Sequence, residues 1–165
     1  MTPPNKWERG DDQGKLSLTD EMVIPTSSRR GDSEPGDNTT RMKKIVVIDD
    51  TPDFLALVAL SLETENCKVF MRSVGRNTVG FVKRNRPDLI ILDVMLPDSD
   101  GLEILQRLKE DAYARSIPIV ICTAAVDRVR SQQRYLEQVN VKVLEKPFEL
   151  DALLNAIHEA TGLGS

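Results

Sequence analysis

Five side chains able to do chemistry stand directly behind apolar runs in this chain of 165 residues. Ile45-Val-Val-Ile48 leads into Asp49-Asp50, and Leu89-Ile-Ile-Leu92 leads into Asp93. Ile117 to Cys122 leads into Thr123, and Val141 to Leu144 leads through Glu145 into Lys146-Pro147. If these groups meet, three carboxylates, a hydroxyl and an ammonium make one kind of site. Like unit charges about 4 Å apart repel by roughly 4 kcal/mol at an effective dielectric near 20, so one lysine cannot neutralise three carboxylates. A divalent cation with oxygen ligands can, and Mg²⁺ is the expected ion, with Mn²⁺ as the alternative. Such a site suits a phosphoryl group, with Asp93 as the nucleophile that forms an aspartyl phosphate and with Thr123 and Lys146 on the phosphoryl oxygens. Singly, each residue has a plainer role, Asp93 as a turn cap and Lys146 as a surface charge.

The elements that would bring them together are legible in the same runs. Continuous apolar stretches without polar alternation predict strands buried on both faces, as in the middle of a parallel sheet. Cys67 to Met71 adds a weaker strand, so the count is five. Helices fall between them. Pro52 opens the first, with Phe54, Leu57, Val58 and Leu62 as its inner face. A second spans about Asn77 to Asn85, and a third carries Leu102, Leu105 and Leu108. A polar fourth helix from about Arg128 to Val139 has few apolar residues, and the last, ending at Gly162, is lined by Leu150, Leu153, Leu154 and Ile157. Five strands alternating with five helices predict an α/β, flavodoxin-like, doubly wound five-stranded parallel sheet with helices on both faces. With strand order 2-1-3-4-5, strands one and three are neighbours at the switch point, and Asp49, Asp50 and Asp93 converge beside Thr123 and Lys146.

Composition narrows the class of function. A net charge of −4 with no basic block argues against a nucleic-acid footprint, and no apolar run approaches the roughly 18 residues of a membrane span. No secretory signal opens the chain, which points to a cytoplasmic protein. Cys67 and Cys122 lie within apolar sequence and read as small buried hydrophobes. Residues 1–41 are rich in Pro, Gly, Asp and Ser, with one apolar patch at Met22-Val23-Ile24; this segment is expected to be a disordered tail ahead of a single domain over 42–165. Met42-Lys43-Lys44 also looks like a translation start.

From about Lys43 to Gly162 the chain resembles the receiver domain of bacterial two-component response regulators. The resemblance is carried by Ile-Asp-Asp at 48–50, Leu-Asp-Val-Met-Leu-Pro at 92–97 with Asp100-Gly101, Cys-Thr-Ala at 122–124 and Lys-Pro-Phe at 146–148. It implies Asp93 as phosphoacceptor, Asp49, Asp50 and Asp93 with the Met95 carbonyl at the metal, Thr123 and Lys146 as groups sensing the phosphoryl, and a cis bond before Pro147. It further implies a sensor histidine kinase or histidine phosphotransfer protein as phosphodonor, and no catalytic turnover beyond self-phosphotransfer and autodephosphorylation. The family usually carries Tyr or Phe three residues before the lysine, where this chain has Val143. No DNA-binding or enzyme domain follows the fifth helix, so a stand-alone receiver is expected to signal through a partner protein, without direct DNA binding. Two other functions compete. An aspartate-nucleophile phosphatase would want Asp-x-Asp after the first strand, where this chain has Asp49-Asp50-Thr51, and a phosphorylation-independent scaffold would not need the full acidic site. A nucleotide-binding domain lacks its glycine-rich loop here.

Overall fold

A computed structural model describes residues 21–25 and 41–163. In chain order the strands are β1 (Glu21–Pro25), β2 (Lys43–Ile48), β3 (Cys67–Arg72), β4 (Leu89–Leu92), β5 (Ile119–Thr123) and β6 (Lys142–Glu145). The helices are α1 (Pro52–Ser61), α2 (Thr78–Asn85), α3 (Gly101–Glu110), α4 (Val126–Ser131), α5 (Gln133–Gln138) and α6 (Leu150–Thr161), with a single 3₁₀ turn at Ala114–Ser116. The strands form one sheet in the order β1-β3-β2-β4-β5-β6, parallel throughout except that β1 runs antiparallel to β3. Without β1, this is the predicted order.

The apolar runs are continuous because each strand is packed on both sides. Val46, Ile48, Ile90 and Leu92 point into one core with Phe81, Leu105 and Leu108, while Ile45, Val47, Leu89 and Ile91 point into another with Val58, Leu153 and Ile157. Neighbouring residues along a strand alternate faces, so a strand covered on both sides has no polar position to offer. Helices α1 and α6 cover one face; α2 to α5 cover the other.

Four expectations are corrected. The sheet has six strands rather than five, because Glu21–Pro25, within the segment expected to be disordered, pairs with β3 from Glu21↔Arg72 to Pro25↔Lys68. Ile24 packs on the core beneath α1, and Met22 and Ile24 form a cleft with Leu55, Ala59 and Met71. A five-residue ladder on an existing edge needs little apolar surface of its own, which is why composition underrates it. The rest of the expected tail, residues 1–20 and 26–40, lies outside the described residues. The fourth predicted helix is two short ones, α4 and α5, broken at Gln132, whose amide bonds back to Val129 O at 3.0 Å. Leu57 and Leu150, expected inside, are exposed. In α1 apolar residues lie nearly all round the helix, so spacing alone cannot choose its inner face; Phe54, Val58 and Leu62 occupy it.

Candidate functional site

The ladder runs past the strand ends and fixes the backbone of the residues that matter. Asp49 N–H donates to Arg72 O at 3.0 Å, Asp93 N–H to Ile48 O at 2.9 Å, and Lys146 N–H to Thr123 O at 2.8 Å. Asp49, Asp93, Thr123 and Lys146 are therefore held by the neighbouring strand, and parallel pairing aims them to one end of the sheet, with Asp50 next in line after Asp49. A carboxylate carried on a rigid strand end is placed more accurately than one on a free loop.

The side chains do meet. One carboxylate oxygen from each of Asp49, Asp50 and Asp93 lies within 4.8 Å of the others. Asp49 and Asp93 are buried and Asp50 is exposed. Lys146 Nζ donates to Asp49 Oδ2 at 2.5 Å and stands 3.5 Å from Asp93 Oδ2. Backbone amides supply the remaining donors: Thr51 N–H to Asp49 Oδ1 at 2.8 Å and Met95 N–H to Asp93 Oδ1 at 3.0 Å. Burial pushes the Asp49 carboxyl above its usual range, against the opposing effect of Lys146 and the Thr51 amide. One ammonium thus faces three acidic groups, the charge imbalance that favours a divalent cation, and the all-oxygen donor set with one solvent-facing member fits a hard ion that keeps waters. Thr123 is fully buried, its Oγ1 accepting from Ala125 N–H at 3.1 Å. The Lys146–Pro147 bond is cis. Cys122 next to Thr123 is a free, buried thiol whose pKa burial pushes up to about 12, an environment that disfavours the thiolate.

Several further residues shape this site. Phe54, at the start of α1, lies under Lys146, whose Nζ is 4.2 Å from the ring centroid, and Phe148 meets Phe54 edge-on at 6.1 Å. The β4–α3 loop is pinned from both sides. Asp98 accepts the Gly75 and Arg76 amides at 2.8 and 2.9 Å, and Asp100 caps α3 through Leu102 N–H at 2.9 Å. Gly101 closes the loop with its amide on Val94 O at 2.8 Å. A Cβ there would stand 2.2 Å from Asp93 O and 2.5 Å from Val94 Cα, so only glycine fits against the backbone that carries Asp93. The Asp100-Gly101 pair was visible in the sequence; its contact with Asp93 was not. Arg128, on α4, pairs with Asp100 and places Nη1 3.5 Å from Met95 Sδ. Val143 is half-buried beneath α4 and α5, in a groove with Val129 and Leu136.

The order of strands and the acidic cluster define a receiver-type site, and comparison with known proteins agrees. The pattern described as the response regulator receiver domain matches residues 45–158, and the chain belongs to that family. Among curated relatives, the chain is 29% identical over 138 residues to the probable transcriptional regulatory protein TcrX of Mycobacterium tuberculosis, covering 82% of this chain and 55% of that protein. It is 33% identical over 125 residues to the phosphate regulon transcriptional regulatory protein PhoB of Pseudomonas aeruginosa, covering 74% of this chain and 54% of that protein. The chain thus spans about half the length of these relatives. In fold it is similar to the receiver domain of sensor histidine kinase PA1611 from Pseudomonas aeruginosa, solved with magnesium in its active site cleft (TM-score 0.62, 23% identity, 73% of this chain, 98% of that one). It is equally similar to the chemotaxis response regulator CheY4 of Vibrio cholerae (TM-score 0.63, 23% identity, 72% and 98%). The chain is therefore a receiver domain of two-component signalling. No helix among the described residues is long and apolar enough to cross a membrane.

Proposed function

We propose that the chain accepts a phosphoryl group on Asp93 from a histidine kinase or a histidine phosphotransfer protein and passes the signal to a partner protein from a cytoplasmic location. The observation that carries this reading is the convergence of Asp49, Asp50, Asp93, Thr123 and Lys146 at one end of the sheet. In the transfer, an Asp93 carboxylate oxygen forms a bond to phosphorus while the P–N bond of the donor phosphohistidine breaks. The electron pair of that bond leaves with the imidazole nitrogen. Asp49, Asp50 and Asp93, with the Met95 carbonyl, would hold Mg²⁺, or Mn²⁺ in its place. A cation bound there supplies positive charge to the phosphoryl oxygens. Lys146 pairs with one phosphoryl oxygen, and the Thr123 hydroxyl donates to another. No turnover of a separate substrate is proposed; the chain's chemistry is its own phosphorylation and hydrolysis.

The test is incubation of the intact chain with acetyl phosphate and Mg²⁺, read by intact mass. One phosphoryl group per chain is expected, dependent on Mg²⁺ and absent in Asp93→Asn. Undiminished labelling of that variant would overturn the assignment.

A further inference from the structure

Helix α4 has little of its own to hold it down. It is six residues long, its N-cap Ala125 offers no side-chain cap, and Val129 is its buried residue. Two polar links at its start tie it to the rest of the molecule, and both lead to the acidic site. The first is Ala125 N–H to Thr123 Oγ1 at 3.1 Å. The second is the Arg128 guanidinium, whose Nη2 pairs with Asp100 Oδ2 while Nη1 reaches Met95 Sδ at 3.5 Å. Met95 and Asp100 bound one loop: they form an antiparallel bridge, and the Met95 amide donates directly to Asp93 Oδ1. The guanidinium therefore grips the loop that begins two residues after Asp93.

We propose that Arg128 is the positioning residue that couples Asp93 to α4, working as a latch between the β4–α3 loop and the first turn of that helix. The proposal rests on Asp93 being the phosphorylated residue. A phosphoryl group there draws the Thr123 hydroxyl off the Ala125 amide. It also sets a dianion against the single charge of Asp100 in competition for the guanidinium. Both links at the start of α4 loosen together, leaving Val129 and the exposed Arg130–Glu145 pair at 3.9 Å to hold the helix. Val143, on β6, has no ring to carry such a signal, and this route does not need one. Only a residue that touches loop and helix at once can transmit this way, and Arg128 does so with two nitrogens on two partners.

The experiment is hydrogen exchange of the full chain with and without Mg²⁺ and beryllofluoride, for the wild type, Arg128→Gln and Arg128→Lys. Arg128 is exposed, so both variants should fold. In wild type, beryllofluoride should speed exchange over residues 124–131. In Arg128→Gln the same segment should exchange about twofold to fivefold faster at rest, the range a partly exposed ion pair supplies, and beryllofluoride should add little. Arg128→Lys should restore part of the resting protection, since it keeps the charge on Asp100 and loses the second contact. A wild-type resting rate together with a full beryllofluoride response in Arg128→Gln overturns the latch. Intact-mass labelling of the wild type by acetyl phosphate, run alongside, separates the two ideas. A wild type that does not label defeats the phosphoryl reading itself, whereas labelling with an unmoved exchange pattern defeats only the role of Arg128.

Discussion

Replacing Lys146 with Met tests whether the acidic groups form one electrostatic unit. The substitution keeps an unbranched stem over the Phe54 ring and removes the charge that lies 2.5 Å from Asp49 and 3.5 Å from Asp93. At an effective dielectric near 20 those two contacts amount to gross attractions of about 7 and about 5 kcal/mol. Most of this is offset, because losing the ammonium also removes its desolvation cost and because Asp49, already raised by burial, can take up a proton. The side chains of the two acids are only 1% and 8% exposed, so solvent relieves little of what remains. Breaking such a pair leaves uncompensated buried charge, and the net loss should be about 2–4 kcal/mol. For a domain of this size that is a fall of roughly 8–15 °C in melting temperature. Scanning calorimetry at neutral pH and low salt would measure it. Saturating Mg²⁺ should raise the melting temperature of Lys146→Met by more than it raises the wild type, because the ion then meets three acids with no resident cation. A loss below about 0.5 kcal/mol, or equal Mg²⁺ stabilisation of the two proteins, would refute the reasoning that Lys146 and the three aspartates share one field.

Three further outcomes are expected. Gly101→Ala should cost about 1–3 kcal/mol and slow acetyl phosphate labelling, because the added methyl must displace the Asp93 and Val94 backbone; unchanged melting and labelling would contradict the close approach. Ile24→Asp should release β1, lowering stability by about 1–2 kcal/mol and speeding exchange over residues 21–25 and 67–72 while labelling persists; an exchange map like that of the wild type would count against a docked strand. For Asp98, burial alone would raise the carboxyl, but the Gly75 and Arg76 amides outweigh it and hold the group below 3.8. Its folded value is depressed, so its stabilisation is complete above 3.8 and fades as pH falls through the folded value. The melting gap between wild type and Asp98→Ala should therefore be constant above about pH 5 and close below 3.8; a gap that widens in acid would show the sign to be wrong.

The central strands could be read from sequence because burial on both faces leaves an unbroken apolar run, and β2, β4 and β5 carry such runs. The acidic site was legible for a related reason: parallel pairing makes every strand end a neighbour of the next, so residue type at the end of a run is nearly a coordinate. What escaped depends on contacts between distant loops. Glu21–Pro25 has strand character only against the edge of β3, some 45 residues further along. Arg128 reads as one surface arginine among three near α4 until its partners Asp100 and Met95 are known. Phe54 reads as a core residue, which it is, and its second role under Lys146 shows only once the end of β6 is seen to lie beside α1. The break at Gln132 leaves no proline or glycine in the sequence to mark it.

The reversed direction of β1 sets where attached probes would report. Glu21 pairs with Arg72, which also pairs with Ile48, so this end of the strand is level with the residue just before Asp49. Pro25 pairs with Lys68, at the far end of the sheet about 13 Å away at ordinary strand rise. Helix α6 begins after the turn that carries Lys146 and runs back down the sheet, so its end at Thr161 also faces away from the acids. A fluorophore attached at position 21 would thus sit at the rim of the sheet that carries the acids. The same dye beyond α6 would leave that rim clear. Donor and acceptor dyes at those two places would span the sheet from end to end, a ruler whose reading would change if β1 peeled away.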